Sequence, residues 1–308
     1  MVAISEIRSS NSSLHTSHQS LTAVFIGATS GIGKATLQSF AKHIPNPTAI
    51  ILGRNEAAFA PELSNLNTLN PNGTYTFLES EISLISQIDS ITSRIISSLN
   101  GKKIDLLYLS QGYISFSGRE EISDGLDISF SLRYYGRIRF IQNLLPHLSP
   151  SARVISILAG GQEGKIFEED LDLKRNYSIG NAAGQMASFT TLTFDHLAKE
   201  NEGMGFVHVF PGLTQTGSLG RSAKGILAMF LRWIVEPVLG VLVAKKPEEV
   251  GERMLYYGTT EEFAKGSWAL DWDGTPKEVD ALKEYRRRGF AEKVAEHNER
   301  TFEQALSR

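Results

Sequence analysis

Three glycines, Gly27, Gly31 and Gly33, fall within the run Val24 to Phe40, VFIGATSGIGKATLQSF. The run reads as a short apolar strand, a turn, and a helix from about Ile32 to Lys42. The chemistry on offer is anion binding by main chain. Gly27 lets the strand turn sharply, Gly31 lets the backbone come close to a ligand, and Gly33 lets the helix start pack tightly on a sheet. The helix start then presents unpaired N–H groups and a positive dipole end to a phosphate. Thr29, Ser30 and Ile32 belong to the same turn. Glycine trios recur by chance in turns, but one that follows a strand and opens a helix points to a dinucleotide.

A second polar feature follows the apolar run TAIILG (48–53), where Arg54 and Asn55 stand. In a fold of this kind the residue ending the second strand meets the adenosine ribose. A carboxylate there would favour NAD; Arg54 instead suits a bidentate grip on a 2′-phosphate, with Ser30 adding a hydroxyl, so NADP(H) is expected. Glu81 and Ile82 follow the next strand and are placed to approach the adenine. Lys34 either helps at the phosphates or faces solvent.

These residues need elements to hold them. Leu21–Gly27 is the first strand, and its helix ends by Pro45 and Pro47. The segment 48–53 is an apolar strand of the kind buried on both faces of a parallel sheet. A helix over 55–69 capped by Asn55, a strand over 74–78 and a helix over 84–99 follow. Next come a strand over 104–110, a long helix from about Asp124 to Leu148, and a strand over 153–158. A glycine- and acid-rich loop (159–176) leads to a helix over 177–201 and a strand over 205–210. Beyond an apolar segment lie a helix over 247–257, a strand over 266–272 and a charged helical tail. Strands alternating with helices imply βαβ units: an α/β fold, a Rossmann-type doubly wound parallel sheet, as a single domain with a C-terminal helical elaboration. Residues 1–20 are an N-terminal extension with a short helix resting on Ile4, Ile7 and Leu14. The domain covers 21–276, and 277–308 form the tail.

Composition narrows the function. The chain has 308 residues, 41% hydrophobic and 21% charged, with net charge -3 and no long basic run, which argues against nucleic acid as a partner. It has no cysteine, which excludes disulfides, thiolate metal sites and a cysteine nucleophile. Seven histidines form no close-spaced ligand motif, so no metal is expected. No secretory signal is visible in residues 1–20. Residues 223–244 approach the length of a membrane span, but Lys224, Arg232, Glu236 and Pro237 interrupt them; a stable span is not expected and a cytoplasmic location is. Apolar residues of 213–246, among them Ile226, Phe230 and Trp233, read as a lid over a hydrophobic small-molecule substrate.

The turn GATSGIG, the strand end LSQG (109–112), Tyr177 opening a helix, and PGLTQT (211–216) occur in the order found in the short-chain dehydrogenase/reductases, which the chain resembles over about residues 21–270. The strings VISILAGG and FVHVFPG and the tail look like the fungal natural-product branch of that family. The resemblance implies a nicotinamide cofactor across the strand C-termini, touched by Ser110, Gln111, Gly112, Pro211, Gly212, Leu213 and Thr216. It also implies a tetrad of Asn, Ser, Tyr and Lys, and a homodimer or homotetramer paired through two long helices, unless the tail blocks them. Mapped onto this chain the tetrad is degenerate. Tyr177 survives, Asn181 stands at the lysine position, Leu158 or Ala159 at the serine position, and Arg133 at the asparagine position.

Free tyrosine, with a pKa of ~10, needs a nearby cation to act as a base at neutral pH. Asn181 can bond ribose but carries no charge. Arg133 is the cation placed near the site, able to depress the Tyr177 pKa, pair with a loop acid (Glu163, Glu168, Glu169 or Asp170), or hold an anionic or enolic substrate oxygen. Arg133 could equally line a dimer face with Tyr134 and Arg137. The expectation is an NADP(H)-dependent reductase of a carbonyl or imine on a hydrophobic small molecule in secondary metabolism. Tyr177 and Arg133 would be its catalytic residues. A non-redox isomerase, dehydratase or cyclase with a structural cofactor is the rival, and a cofactor-sensing binding protein a third reading.

Overall fold

A computed structural model describes residues 2–17, 20–113, 115–212, 214 and 245–308. Seven strands form one sheet in the order β3-β2-β1-β4-β5-β6-β7, every neighbouring pair parallel. The strands are β1 (Ser20–Ile26), β2 (Asn46–Gly53), β3 (Thr74–Glu79), β4 (Ile104–Leu109), β5 (Leu148–Ile157), β6 (Gly205–Val209) and β7 (Gly266–Leu270). The doubly wound α/β expectation holds.

The chain runs outward from β1 through β2 to β3, then returns to place β4 on the other side of β1. This reversal opens a crevice at the C-terminal ends of β1 and β4, where ligands bind in such sheets. Alternation along β1 shows how each face is buried. Val24 and Ile26 join a core with Ile50, Leu107, Ile138 and Phe189, while Ala23 and Phe25 join another with Leu37, Phe40, Ile51 and Val250.

The helices are α1 (Ile4–Ser17), α2 (Gly31–His43), α3 (Glu56–Leu69), α4 (Ile85–Ser98), a single turn α5 (Ile128–Phe130) and α6 (Gly136–Leu144). After them come α7 (Ile179–Glu200), α8 (Pro247–Thr259), α9 (Asp280–Arg287) and α10 (Phe290–Leu306). Helix α1 buries Ile7 and Leu14 as expected, with Ile4 half-buried, and is tied down by Asn11, whose amide donates to Glu252.

Three expectations need correction. The long helix from Asp124 begins at Ile128, where Asp127 caps it by accepting from the Ser129 and Phe130 N–H groups, and α6 ends at Leu144. Its second turn, Ser131–Tyr135, is a π-turn closed by the Gly136 N–H on the Ser131 carbonyl. A Cβ at Gly136 would lie 2.7 Å from that carbonyl oxygen, so glycine is what admits the wide turn. Strand β5 starts five residues before Arg153, at Leu148, because its polar opening carries no apolar signature. Tyr177 precedes α7 rather than opening it; Ser178 is the cap, accepting from the Asn181 N–H at 3.0 Å.

The tail is helical, as α9 and α10. Helix α10 packs on α7 and α4, burying Phe290, Val294 and Phe302, and its His297 meets the Tyr135 hydroxyl at 2.7 Å. It lies beside the helices through which pairing of two chains was expected. Tyr134 and Arg137 do not line a surface there, since both are buried.

Candidate functional site

A cleft of about 640 Å³ follows the C-terminal ends of the central strands. Its floor at β1 is the glycine turn. Gly27 holds φ of +91° and its would-be Cβ falls 2.4 Å from the Gln111 nitrogen, so no other residue fits there without strain. A Cβ at Gly33 would meet the Ser110 hydroxyl at 2.3 Å, which brings α2 close against the end of β4. The Ser110 hydroxyl donates to the Gly27 and Ile26 carbonyls at 3.0 and 3.2 Å, holding the turn in shape.

Ser30 caps α2 in extended conformation but its side chain makes no capping bond. The first N–H groups of the helix therefore remain open toward the cleft, with the dipole's positive end behind them. Among the described residues no side chain accepts from these N–H groups, and the donor set fits a diphosphate.

The outer wall lies at β2 and β3. Thr29 packs over Gly53, and Arg54 is exposed, with no hydrogen bond or ion pair among the described residues. Nearby carboxylates are engaged elsewhere: Glu79 accepts from the Glu56 N–H at 2.8 Å, and Glu81 from the Ile82 and Ser83 N–H groups at 3.0 Å. Lys34 turns away to pair with Glu62 at 3.0 Å.

The inner wall is built by β4, β5 and the π-turn, and its polar groups differ in kind. Arg133 lines the cleft with its stem over Gly112, and makes no hydrogen bond or ion pair among the described residues. Burial pulls its guanidinium below the ordinary value, while Tyr177 and Asp127 oppose that pull; it remains a cation. Arg137 is buried, donating to the Ser156 hydroxyl at 2.8 Å, the Ile157 carbonyl at 2.9 Å and the Gln111 carbonyl. Burial, with the nearby Arg133 charge, lowers Arg137 to about 9. Its Nε and the Gln111 Oε1 have no partner among the described residues.

Tyr177 stands beside this wall, half-buried, adjoining Ser129 and feeling the charges of Asp127, Arg133 and Glu120. Burial first, then Asp127, raises its pKa above the ordinary tyrosine value despite Arg133. Arg133 and Tyr177 influence each other through charge, but Tyr177 is not among the residues that line the cleft. The loop acids proposed for Arg133 are elsewhere. Glu163 is buried against Thr191 and His208, Glu168 pairs with Arg288, Glu169 lends its carbonyl to Arg175, and Asp170 caps the N–H groups of Lys174, Arg175 and Asn176. The acids facing Tyr177 are Asp127 and Glu120.

Of the expected cofactor contacts, Gly27, Thr29, Ser30, Gly31, Ile32, Gly33, Arg54, Glu81, Ile82, Ser110, Gln111, Gly112 and Pro211 line the cleft. Asn55 does not; its Oδ1 caps α3 through the Ala58 N–H at 2.8 Å. The Asn181 amide donates to the Asn176 carbonyl, and Gly212 packs against Trp272, so neither reaches the wall. Leu213, Thr216 and the lid, apart from Thr214, Lys245 and Lys246, lie outside the described residues. Sequence reasoning missed Ser80, Ser83, Tyr113, Glu120, Ile128, Leu132 and Arg137 as lining residues. Only Arg137 carried a signal, being four residues after Arg133.

No family model matches the sequence. The chain is 36% identical to oxidoreductase AN1596 of Emericella nidulans, the alignment covering the whole of both chains. It is 28% identical to the short-chain dehydrogenase/reductase SAT2 of Stachybotrys chartarum, over 80% of this chain and 75% of that one. Among solved structures, L-sorbose reductase of Gluconobacter frateurii, complexed with NADPH and L-sorbose, shares the fold with a TM-score of 0.63. The two are 16% identical over 85% of this chain and 98% of that one. With the glycine turn, the parallel sheet and full-length likeness to fungal oxidoreductases together, the chain belongs to the short-chain dehydrogenase/reductase family, in its fungal branch.

Proposed function

We propose that the protein is an NADP(H)-dependent reductase acting on a carbonyl or imine of an apolar small molecule, in fungal secondary metabolism. The observation that carries this reading is the open start of α2, whose uncapped N–H groups face the cleft, together with an exposed Arg54 that has no partner among the described residues. Gly31–Gly33 would hold the diphosphate and Arg54 the 2′-phosphate. When bound, the dihydronicotinamide supplies a hydride; the rest falls to the chain's own residues. The solved L-sorbose reductase with NADPH supports the same cofactor.

The state of Tyr177 favours reduction over oxidation. With its pKa raised, the phenol keeps its proton through neutral pH and is suited to deliver it to a substrate oxygen as charge develops there. A tyrosine acting as base would need the opposite shift, which the lysine position, Asn181, does not supply. Arg133, whose charge acts on Tyr177, would steady that oxygen. Ile128, Leu132, Ile157 and Leu158 give the inner wall the apolar surface that a hydrophobic substrate needs.

The loss of the lysine also favours a second reading, a non-redox isomerase, dehydratase or cyclase. Absorbance at 340 nm separates the two. Purified protein with a panel of apolar ketones and imines should consume NADPH in step with product. Product formation with NADPH unchanged would establish the second reading in its place.

A further inference from the structure

The inner wall carries two cations that the family's usual proton chemistry does not require. Arg133 and Arg137 stand four residues apart and both line the cleft where β4 and β5 end. Like charges at this spacing on a helix repel. Arg137 is also buried among neutral acceptors alone, the Ser156 hydroxyl and the Ile157 and Gln111 carbonyls, and its Nε has no partner among the described residues. A buried cation is costly unless a charge answers it.

Asp127 is the wall carboxylate whose charge acts on Arg133, and among the described residues no carboxylate bonds either guanidinium. Asp127 accepts from the N–H groups of Glu120, Ser129 and Phe130, Glu120 accepts from Ser115 at 2.6 Å, and Glu81 closes its own loop. The cofactor's phosphates have their own donors at the start of α2 and at Arg54, on the β1 and β2 side of the cleft.

Resting on the reductase reading above, we infer that Arg133 and Arg137 form an anion subsite for the substrate. The substrate is then an apolar molecule carrying an anionic oxygen, a carboxylate or the enolate of an acidic dicarbonyl, next to its reducible group. Arg133, unpaired at the cleft wall, makes the direct contact. Arg137 lies behind it as a positioning residue that adds charge and fixes the strand ends through its carbonyl contacts. Ile128, Leu132, Ile157 and Leu158 take the apolar body. The missing serine at Leu158 or Ala159 fits this arrangement, since a charged fork replaces a hydroxyl as the group that holds oxygen.

The test uses naphthalene-2-carboxylate and its neutral methyl ester as probes, titrated calorimetrically into the full chain with and without NADPH. The acid should bind the NADPH complex at least about tenfold more tightly than the ester. Arg133→Gln should erase that gap while leaving NADPH affinity within about twofold, and Arg133→Lys should restore part of it. Equal binding of acid and ester by wild type would overturn the inference, and that comparison needs no variant to fold. An undiminished gap in a folded Arg133→Gln protein would also overturn it. A tenfold loss of NADPH affinity in that variant, with the gap intact, would assign Arg133 to the cofactor instead. Should wild type bind no NADPH, the cofactor reading fails, and the gap measured in cofactor-free protein still decides the anion subsite.

Discussion

The two ends of the cleft are built on different principles. At the β1 and β2 end the lining is backbone: Gly27, Gly33 and Gly53 clear space, Ser110 pins the turn, and open N–H groups face the cleft. At the β4 and β5 end the lining is side chains, with Arg133 and Arg137 on the wall and Tyr177 under the charge of Arg133. A backbone site tolerates almost no substitution because its requirement is geometric, yet asks little of the surrounding chemistry. A side-chain site can be rewritten residue by residue on the same frame. The difference teaches why the family's glycine turn is kept in this chain while the positions of its tetrad are not.

Removing the tyrosine hydroxyl should give the largest effect and act on one end only. Tyr177→Phe should lower kcat for reduction about 10²- to 10⁴-fold, the usual worth of a positioned proton donor, with NADPH affinity unchanged. In wild type the acid form persists until pH passes the raised pKa, so reduction should stay level through the neutral range and fall only above the ordinary tyrosine value. A variant that retains full rate would move proton delivery elsewhere, with Glu120 the next group to examine.

Gly27→Ala should strike the other end. A Cβ 2.4 Å from the Gln111 nitrogen, at φ of +91°, costs on the order of 1–3 kcal/mol in strain and shifts the turn that carries the open amides. NADPH affinity should fall by roughly a hundredfold. If the two variants changed the same kinetic constant by the same factor, the separation of the ends would not stand.

How readily each end could be read in the sequence follows from the same contrast. A backbone requirement prints itself as glycine, so the cradle and its strand–helix setting were visible before any coordinates. The inner wall was not. The π-turn at Ser131–Tyr135 interrupts the 3.6-residue count, so a dimer face stayed open as a place for Arg137, which is buried at the strand ends. Asp127 and Glu120 act on Tyr177 from the segment before α5, held by the Glu121–Asp127 bridge and by the Glu120 N–H on Asp127, with no periodicity to place them. The acids of 163–170, nearer in sequence to Tyr177, proved to be fastened into the scaffold.

Arg54→Ala probes cofactor choice within the backbone end. If the guanidinium answers a 2′-phosphate, NADPH binding should weaken about ten- to fiftyfold and NADH binding less than twofold. Equal losses would mean that Arg54 packs against the adenosine without reading its phosphate.

The smallest effect should come from a group that belongs to neither end. Glu252 on α8 is buried beneath α1, bonded to Asn11 at 2.6 Å and His43 at 3.0 Å. Burial opposes its ionisation, but His43, Asn11 and Lys42 outweigh that and hold its pKa at about 2. A carboxyl depressed in the folded chain contributes stability above its unfolded value near 4.5, and that contribution drains away as pH falls toward 2. Glu252→Gln should therefore cost about 1–2 kcal/mol at pH 7, read by chemical denaturation, and the gap to wild type should narrow below pH 4.5. The turnover of the remaining folded enzyme should match wild type, since no cleft residue moves. A strongly shifted carboxylate whose loss alters stability and leaves rate alone would show that a shifted pKa by itself does not mark chemistry, so the proposed role of Tyr177 rests on the charge of Arg133 acting on it.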